Sequence, residues 1–168
     1  MRGLLKLSRL GRAALDKQVL DMNELMSNIV DGMQHQIREH EAEVTVGNLA
    51  PCIGDRSQIS QVFTNLLDNS IKYLDPVRKG KIKISCRVED GESVYAVEDN
   101  GVGIDPEFHE KIFEIFHRLE PGGAASGEGI GLTIVKRILD RHNGKIRMES
   151  EAGKGTVFYV TLPAPERE

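Results

Sequence analysis

Tryptophan is absent, and aromatic residues make up only 5% of the 168-residue chain. A surface that stacks the bases of single-stranded nucleic acid needs such rings in series, so that class of binding is not expected. Basic residues are not in excess: 22 Lys and Arg face 26 Asp and Glu, a formal net charge of −4 that argues against general nucleic-acid binding. Cysteine is limited to Cys52 and Cys86, with neither a CxxC motif nor histidines at ligand spacing. The pair therefore reads as buried thiols of a reducing compartment, not a disulfide framework or a zinc site. No apolar run approaches the roughly 20 residues of a membrane span. The basic, apolar opening at residues 1–9 lacks a continuous hydrophobic region and a cleavage site, so no signal peptide and a cytoplasmic location are expected. The parent protein could still be anchored elsewhere.

Glycine is plentiful, at 17 residues, and much of it is clustered in order. Asp99-Asn-Gly-Val-Gly103 comes first, then Gly127-Glu-Gly-Ile-Gly131, then Gly153-Lys-Gly-Thr156. Upstream, Asn65 and Asn69 sit one helical turn apart. Glycine clusters let backbone approach a ligand closely, and N–H groups that open a helix form an anion site. An ionised Asp99 only accepts hydrogen bonds, so it suits a base amino group and would repel phosphate. An Asn oxygen suits a hard cation such as Mg²⁺ bridging phosphates. Together the pieces describe a site for a purine nucleotide and its metal. Each alone has a plainer meaning: a tight turn for the glycines, a solvated helix face for the asparagines, and an i,i+4 pair with Asp68 for Lys72.

Local patterns place these groups on elements. Residues 2–16 put Leu4, Leu7 or Leu10, and Ala14 on one stripe, with Arg2, Lys6, Arg9 and Arg12 elsewhere, as in a short amphipathic helix. It is either the end of a longer helix whose partner is missing or a helix packed on its own domain. Asp21 with Glu24, and Asp55 with Gln58, are capping-box patterns that open two further helices. The first carries a Met-rich core stripe to Ile37. The second buries Ile59, Val62, Phe63, Leu66, Leu67, Ser70, Ile71 and Leu74, gathers Asn65, Asn69 and Lys72 on the other side, and stops at Asp75-Pro76.

Val44 and Val46 suggest a strand, and Ile82 to Val88 alternates, turns at Glu89-Asp-Gly-Glu92 and returns as a strand over Val94 to Val97, with Asp99 just past its end. Residues 101–128 are loop-rich. A helix spans 130–143 with Gly144 as its stop, and strands span 145–150 and 156–162. These elements predict an α+β fold, a two-layer α/β sandwich with a mixed, mostly antiparallel sheet covered by helices on one face.

The boxes resemble those of the ATP-binding domain of sensor histidine kinases, in the superfamily of gyrase, heat-shock-chaperone, kinase and mismatch-repair ATPases. Residues 61–73 resemble the N box, 98–104 the first glycine box, 111–118 the F box, 127–132 the second glycine box and 153–158 the third. The resemblance runs from about residue 20 to 163 and implies a Bergerat-type ATP-binding fold with ATP and Mg²⁺ as cofactors.

Under it, Asn69 is the metal ligand, Asn65 supports the phosphates, and Asp99 binds the adenine amino group. Gly101, Gly103, Ile104, Gly127, Gly129, Gly131, Leu132 and Thr156 line the nucleotide. Lys72, Tyr73, Phe116 and Arg118 are further contacts, and Asn65, Lys72 and Arg118 serve the transfer step. Residues 105–127 become the ATP lid. Residues 1–16 resemble the end of a dimerisation helix, and 17–168 the catalytic domain. Partners are then the phosphoacceptor helices of the parent kinase and a response regulator.

Three departures stand out: Ser70 for a usual Ala, Glu128 for a small hydroxyl residue, and Asn143 for Gly. A larger one is that none of His35, His40, His109, His117 and His142 lies in a phosphoacceptor context, and each reads as an ordinary surface or helix residue. Three functions are carried forward: a kinase module acting on a histidine outside this chain, an ATP-gated clamp or ATPase of the same superfamily, and a non-catalytic nucleotide-binding docking module.

Overall fold

The computed structural model describes residues 14–113 and 131–166. A five-stranded mixed sheet forms one layer. Its strands are β2 (Glu43–Val46), β4 (Lys81–Glu89), β5 (Glu92–Asp99), β6 (Lys145–Glu151) and β7 (Gly155–Pro163), in the order β2-β4-β5-β7-β6. Only the β2–β4 pair is parallel; the other three pairs are antiparallel. A separate two-stranded antiparallel sheet joins β1 (Lys17–Leu20) to β3 (Cys52–Asp55). The helices are α1 (Met22–Gly32), α2 (Gln34–Glu39), α3 (Arg56–Lys72) and α4 (Gly131–Arg141). This is the expected α+β sandwich.

The two layers meet along the alternation of the strands. Ile82, Ile84, Tyr95, Val97, Phe158, Val160 and Leu162 are buried against Ile59, Val62, Phe63, Leu66 and Leu67 of α3 and Ile134, Val135, Ile138 and Leu139 of α4. Successive strand residues point to opposite faces, so the intervening Lys83, Glu98, Arg147 and Glu149 stay exposed. Tyr95 anchors the interior with its ring edge-on to Phe63, at 5.4 Å between centroids, and its hydroxyl donates to Ala50 O at 2.6 Å.

The capping patterns act as expected. The Asp21 carboxylate accepts from Glu24 N, and that of Asp55 from Gln58 N. The β4–β5 turn places Asp90 and Gly91 both at positive φ, which matches a two-residue hairpin loop to the twist of its strands.

Several boundaries differ from expectation. The first helix breaks at Met33, after the weak helix former Gly32, and its stripe resumes in α2 with Ile37 buried. Helix α3 stops at Lys72, short of Asp75-Pro76, because Tyr73 O is taken by Val102 N at 2.9 Å. Asp75 instead accepts from Val77 N in a side-chain turn. Helix α4 ends at Arg141, and the left-handed residue behind it is Asn143 (φ 56), not Gly144. Gly144 serves close packing, since a Cβ there would lie 2.7 Å from Thr161 O. Strands β1 and β3 have four residues each and no amphipathic alternation, so their pairing is a tertiary event. Residues 14–16 are not helical, and the rest of the helix expected over 2–16 lies outside the described residues.

Both cysteines are free thiols. Cys52 is buried, but Cys86 is partly exposed, a correction to the expectation that both are interior.

Candidate functional site

Asp99 ends β5, and the register sets it beside Thr156 of β7, which in turn faces Ser150 of β6. Three polar residues thus form one row at the end of the sheet. Asp99 and Thr156 are 7% and 6% exposed. Burial pushes the Asp99 carboxyl up from 3.8 to about 6. Three groups oppose that rise: the Gly101 N–H, which donates to Asp99 Oδ1 at 2.9 Å, the Ser70 hydroxyl from α3, and the Thr156 backbone. Ser70 Oγ is buried and, although close enough to favour the ionised carboxylate, makes no hydrogen bond of good geometry.

The glycines explain how tightly the loops close around this row. A Cβ on Gly101 would lie 2.2 Å from Tyr73 O, one on Gly103 2.1 Å from Glu151 O, and one on Gly155 2.0 Å from Asp99 O. Gly103 and Gly155 also have positive φ, at 74° and 137°. The first and third glycine boxes are stitched directly, with Gly153 N donating to Val102 O at 2.7 Å.

Ser150 completes the stitching. Its Oγ accepts from Ile104 N at 2.7 Å, donates to Gly155 O at 3.0 Å and lies 2.8 Å from Thr156 Oγ1. The single Ser150 proton goes to Gly155 O, so Thr156 is the donor in the hydroxyl pair.

The facing helix contributes Asn65 and Asn69. Asn65 Nδ2 donates to Gly131 O at 3.4 Å, bringing the N box to the start of α4. The Asn69 side chain is partly exposed and makes no hydrogen bond to the described residues, which leaves a neutral oxygen available for a cation. Among the described residues no cluster of three or more His, Cys, Asp or Glu could hold a metal without a ligand's help. A Mg²⁺ carried by phosphates and met by one Asn oxygen fits this donor set.

Lys72 forms the i,i+4 pair with Asp68 at 3.0 Å, as its plainer reading held. Tyr73 caps α3 and gives its carbonyl to Val102 N. Ile104 is buried as an apolar wall, and Leu132 packs partly buried against the core. Gly131 is exposed at the first position of α4. Phe116, Arg118, Gly127 and Gly129 lie outside the described residues, as does most of 105–127. The described part, 105–113, holds two 3₁₀ turns and is tied to α4 by Thr133 Oγ1 donating to Phe113 O at 2.8 Å.

Three residues escaped the sequence reading. Ser150 is one. Arg78 is another: its Nε and Nη2 donate to the carbonyls of Asn100 and Gly101 at 2.7 and 2.6 Å, fixing the first glycine box from below. The third is His142, which is buried and not an ordinary surface residue. Its Nδ1 lies 2.7 Å from Ile138 O and its Nε2 accepts from Asp55 N at 3.1 Å, so the proton resides on Nδ1. Only Arg78 offered a clue, a cation beside a proline turn. Ser150 and His142 are placed by pairings distant in sequence.

Residues 54–166 match the family described as histidine kinase-, DNA gyrase B- and HSP90-like ATPases. The chain belongs to that family, whose members bind ATP, and its relatives are sensor histidine kinases. The methanogenesis regulatory histidine kinase FilI of Methanothrix harundinacea is 36% identical over 166 residues, covering 98% of this chain and 18% of that protein. The catalytic domain of histidine kinase ThkA, solved nucleotide-free, superimposes with a TM-score of 0.76 at 29% identity, covering 89% of this chain and 99% of that one. ThkA in complex with the response regulator protein TrrA gives 0.78 at 25% identity, over 98% of this chain and 47% of that one. Full-length ShkA in complex with AMPPNP gives 0.83 at 25% identity, over 99% of this chain and 36% of that one. The chain thus spans about a fifth of the length of the curated relatives it matches.

Proposed function

We propose that this chain binds Mg-ATP and donates the γ-phosphoryl group to a histidine on a dimerisation domain outside the chain, as the catalytic part of a two-component sensor kinase. The observation that carries the reading is the buried Asp99 at a strand end, enclosed by glycines too tightly packed to bear a side chain and faced by a helix presenting Asn65 and Asn69. AMPPNP, an ATP analogue, in the ShkA structure supports the nucleotide class.

In this reading Asp99 accepts from the adenine amino group, Gly101 and Gly103 let the ring lie against backbone, and Ile104 walls it. Asn69 would hold Mg²⁺, which neutralises phosphate charge, while Asn65, Lys72 and Arg118 orient the triphosphate. Such transfer depends on positioning and charge neutralisation, so this chain needs no nucleophile of its own. Residues 17–168 are then the catalytic domain, and residues 1–16 belong with a dimerisation domain. The phosphoryl group passes on to a response regulator, a partner class supported by the ThkA–TrrA complex. Among the described residues no helix is long and apolar enough to cross a membrane, in keeping with a cytoplasmic module.

The clamp or ATPase alternative asks for a general base one turn before the metal ligand. That position holds Asn65, whose amide takes up no proton. The test supplies the 168-residue chain with γ-labelled ATP, Mg²⁺ and a separate helical hairpin bearing the acceptor histidine of a two-component kinase. Acid-labile label on the hairpin, little on the chain and slow phosphate release are expected. Rapid phosphate release without the hairpin, or label on one of this chain's five histidines, would overturn the reading.

A further inference from the structure

Arg78 is no part of the nucleotide contacts proposed above. It stands in the loop between α3 and β4 with 38% of its side chain exposed, and a surface arginine usually turns its donors to water or to a carboxylate. Here Nε donates to Asn100 O at 2.7 Å and Nη2 to Gly101 O at 2.6 Å, while the Asp75 carboxylate stays 3.8 Å from Nη1. One rigid fork thus holds two consecutive carbonyls by charge-assisted bonds.

The far ends of those two peptide units face the site. A trans peptide carries its C=O and N–H on opposite sides. The unit that contains Asn100 O also carries the Gly101 N–H, which donates to Asp99 Oδ1 at 2.9 Å. The unit that contains Gly101 O carries the Val102 N–H, which donates to Tyr73 O at 2.9 Å behind α3. Arg78 therefore holds the back of two peptides whose fronts meet the Asp99 carboxylate and the end of the helix bearing Asn65 and Asn69.

Gly101 makes such a hold necessary. A Cβ there would run into Tyr73 O, so the packing admits only glycine, the residue that restrains its own backbone least. Turned about, the first unit would present a carbonyl oxygen to Asp99 in place of a donor. The loop is braced in return, because Asn100 Oδ1 accepts from Lys81 N at 2.8 Å and Asn100 Nδ2 donates to Lys79 O at 2.9 Å.

We infer that Arg78 is a positioning residue of the nucleotide site: acting through the peptide units of Asn100 and Gly101, it aims the Gly101 N–H at Asp99 and keeps the first glycine box in register with α3. The inference rests on the nucleotide reading above and deepens it. Without the guanidinium Asp99 keeps a weaker donor, since a carbonyl bonded to a cation polarises the N–H of its own peptide. Burial and Glu98 push the Asp99 carboxyl up, and the Ser70 hydroxyl and the Thr156 backbone are the donors left to oppose them.

The experiment uses the 168-residue chain as wild type, Arg78→Met and Arg78→Lys. The Asp99 carboxyl is first titrated without nucleotide by carboxyl-carbon NMR, with Asp99→Asn to assign its signal. Wild type should titrate at about 6. Arg78→Met should titrate about half a unit to one unit higher. ATP with Mg²⁺ is then titrated calorimetrically at pH 8 and at pH 6. Arg78→Met should bind about three- to tenfold more weakly at pH 8, the scale of one weakened hydrogen bond. The factor should be larger at pH 6, where less of its Asp99 is ionised. Arg78→Lys keeps the charge and one donor, and should fall between the two in both measurements.

An Asp99 midpoint that does not move in folded Arg78→Met would overturn the inference, because an arginine that only stabilises its loop has no route to the carboxyl. Equal ATP affinities in wild type and Arg78→Met would overturn it too. Should Arg78→Met fail to fold, Arg78→Lys carries the same two readouts. Wild type that binds no ATP would overturn the nucleotide reading and the inference with it, whereas wild type that binds ATP beside an unmoved midpoint would overturn the inference alone.

Discussion

An ionised carboxylate that is 7% exposed opposes folding unless enough donors face it, and Asp99 has few. Its native pKa of about 6 lies above the ordinary 3.8, so the folded chain holds an extra proton between those values. Stability from this group is therefore full at acid pH and declines as pH rises from about 4 to 6, by roughly 3 kcal/mol. In the proposed function an adenine amino group would supply a further donor to the ionised form. ATP affinity should accordingly rise as pH climbs through about 6 and level off above it. Asp99→Asn should bind ATP at least tenfold more weakly than wild type above about pH 6, with the difference shrinking below it, yet melt no lower than wild type at pH 8, because the amide carries no charge to desolvate. Calorimetry and thermal melts across pH 5 to 8 check both halves. A variant that binds ATP normally removes Asp99 from the site, and one that melts lower gives the carboxylate a structural role.

Between elements, glycine does two different jobs that substitution separates. Gly103 and Gly155 combine positive φ with backbone oxygens about 2 Å from any added Cβ, so neither strain nor clash can relax through a side chain. Alanine at either should cost about 1–3 kcal/mol or more in denaturant melts, with loss of ATP binding. Gly32, at the end of α1, has nothing within 4 Å of its would-be Cβ, and Gly32→Ala should stabilise by about 0.5–1 kcal/mol. Equal effects at the three sites would contradict the packing described.

The joint between β3 and α4 makes a second prediction at this scale. His142 is neutral there, its pKa lowered chiefly by burial, with Lys17 and Arg141 adding to the effect and Ile138 O and Asp55 opposing it. The unfolded histidine takes a proton more readily, so this stability is full above about pH 6.5 and is lost as pH falls below it. His142→Leu should melt lower at pH 8 and show a smaller decline between pH 7 and 5 than wild type. An identical decline in both would mean that other groups carry the acid sensitivity.

Over the whole molecule, what could be read in advance was whatever is periodic or capped locally. The stripe and Asp55 cap of α3, the Asp90-Gly91 hairpin and the strand that delivers Asp99 each carry their own signal. Strands β1 and β3 carry none, since four residues with a single partner are defined by the pairing and not by their own pattern. The same limit governed the site. The ordered glycine boxes and the Asn65–Asn69 spacing were visible as residues, whereas the stitching by Ser150, the Arg78 clamp and the placing of the Ser70 hydroxyl beside Asp99 exist only once β5, β6, β7 and α3 are brought together. Lys72 shows the reverse: its predicted pair with Asp68 is present in the fold, beside a nucleotide role that remains a proposal.

In the proposed function a nucleotide is held at one end by Asp99 and at the other by a metal on Asn69. Calorimetric titration of the 168-residue chain with ATP, with and without Mg²⁺, tests both ends at once when wild type is run beside Asn69→Ala and Asp99→Asn. Wild type should bind ATP with an affinity that Mg²⁺ raises. Asn69→Ala should retain the metal-independent part alone, and Asp99→Asn should lose most binding under either condition. Superimposable wild-type and Asn69→Ala isotherms in Mg²⁺, or ATP binding that ignores the loss of Asp99, would contradict it.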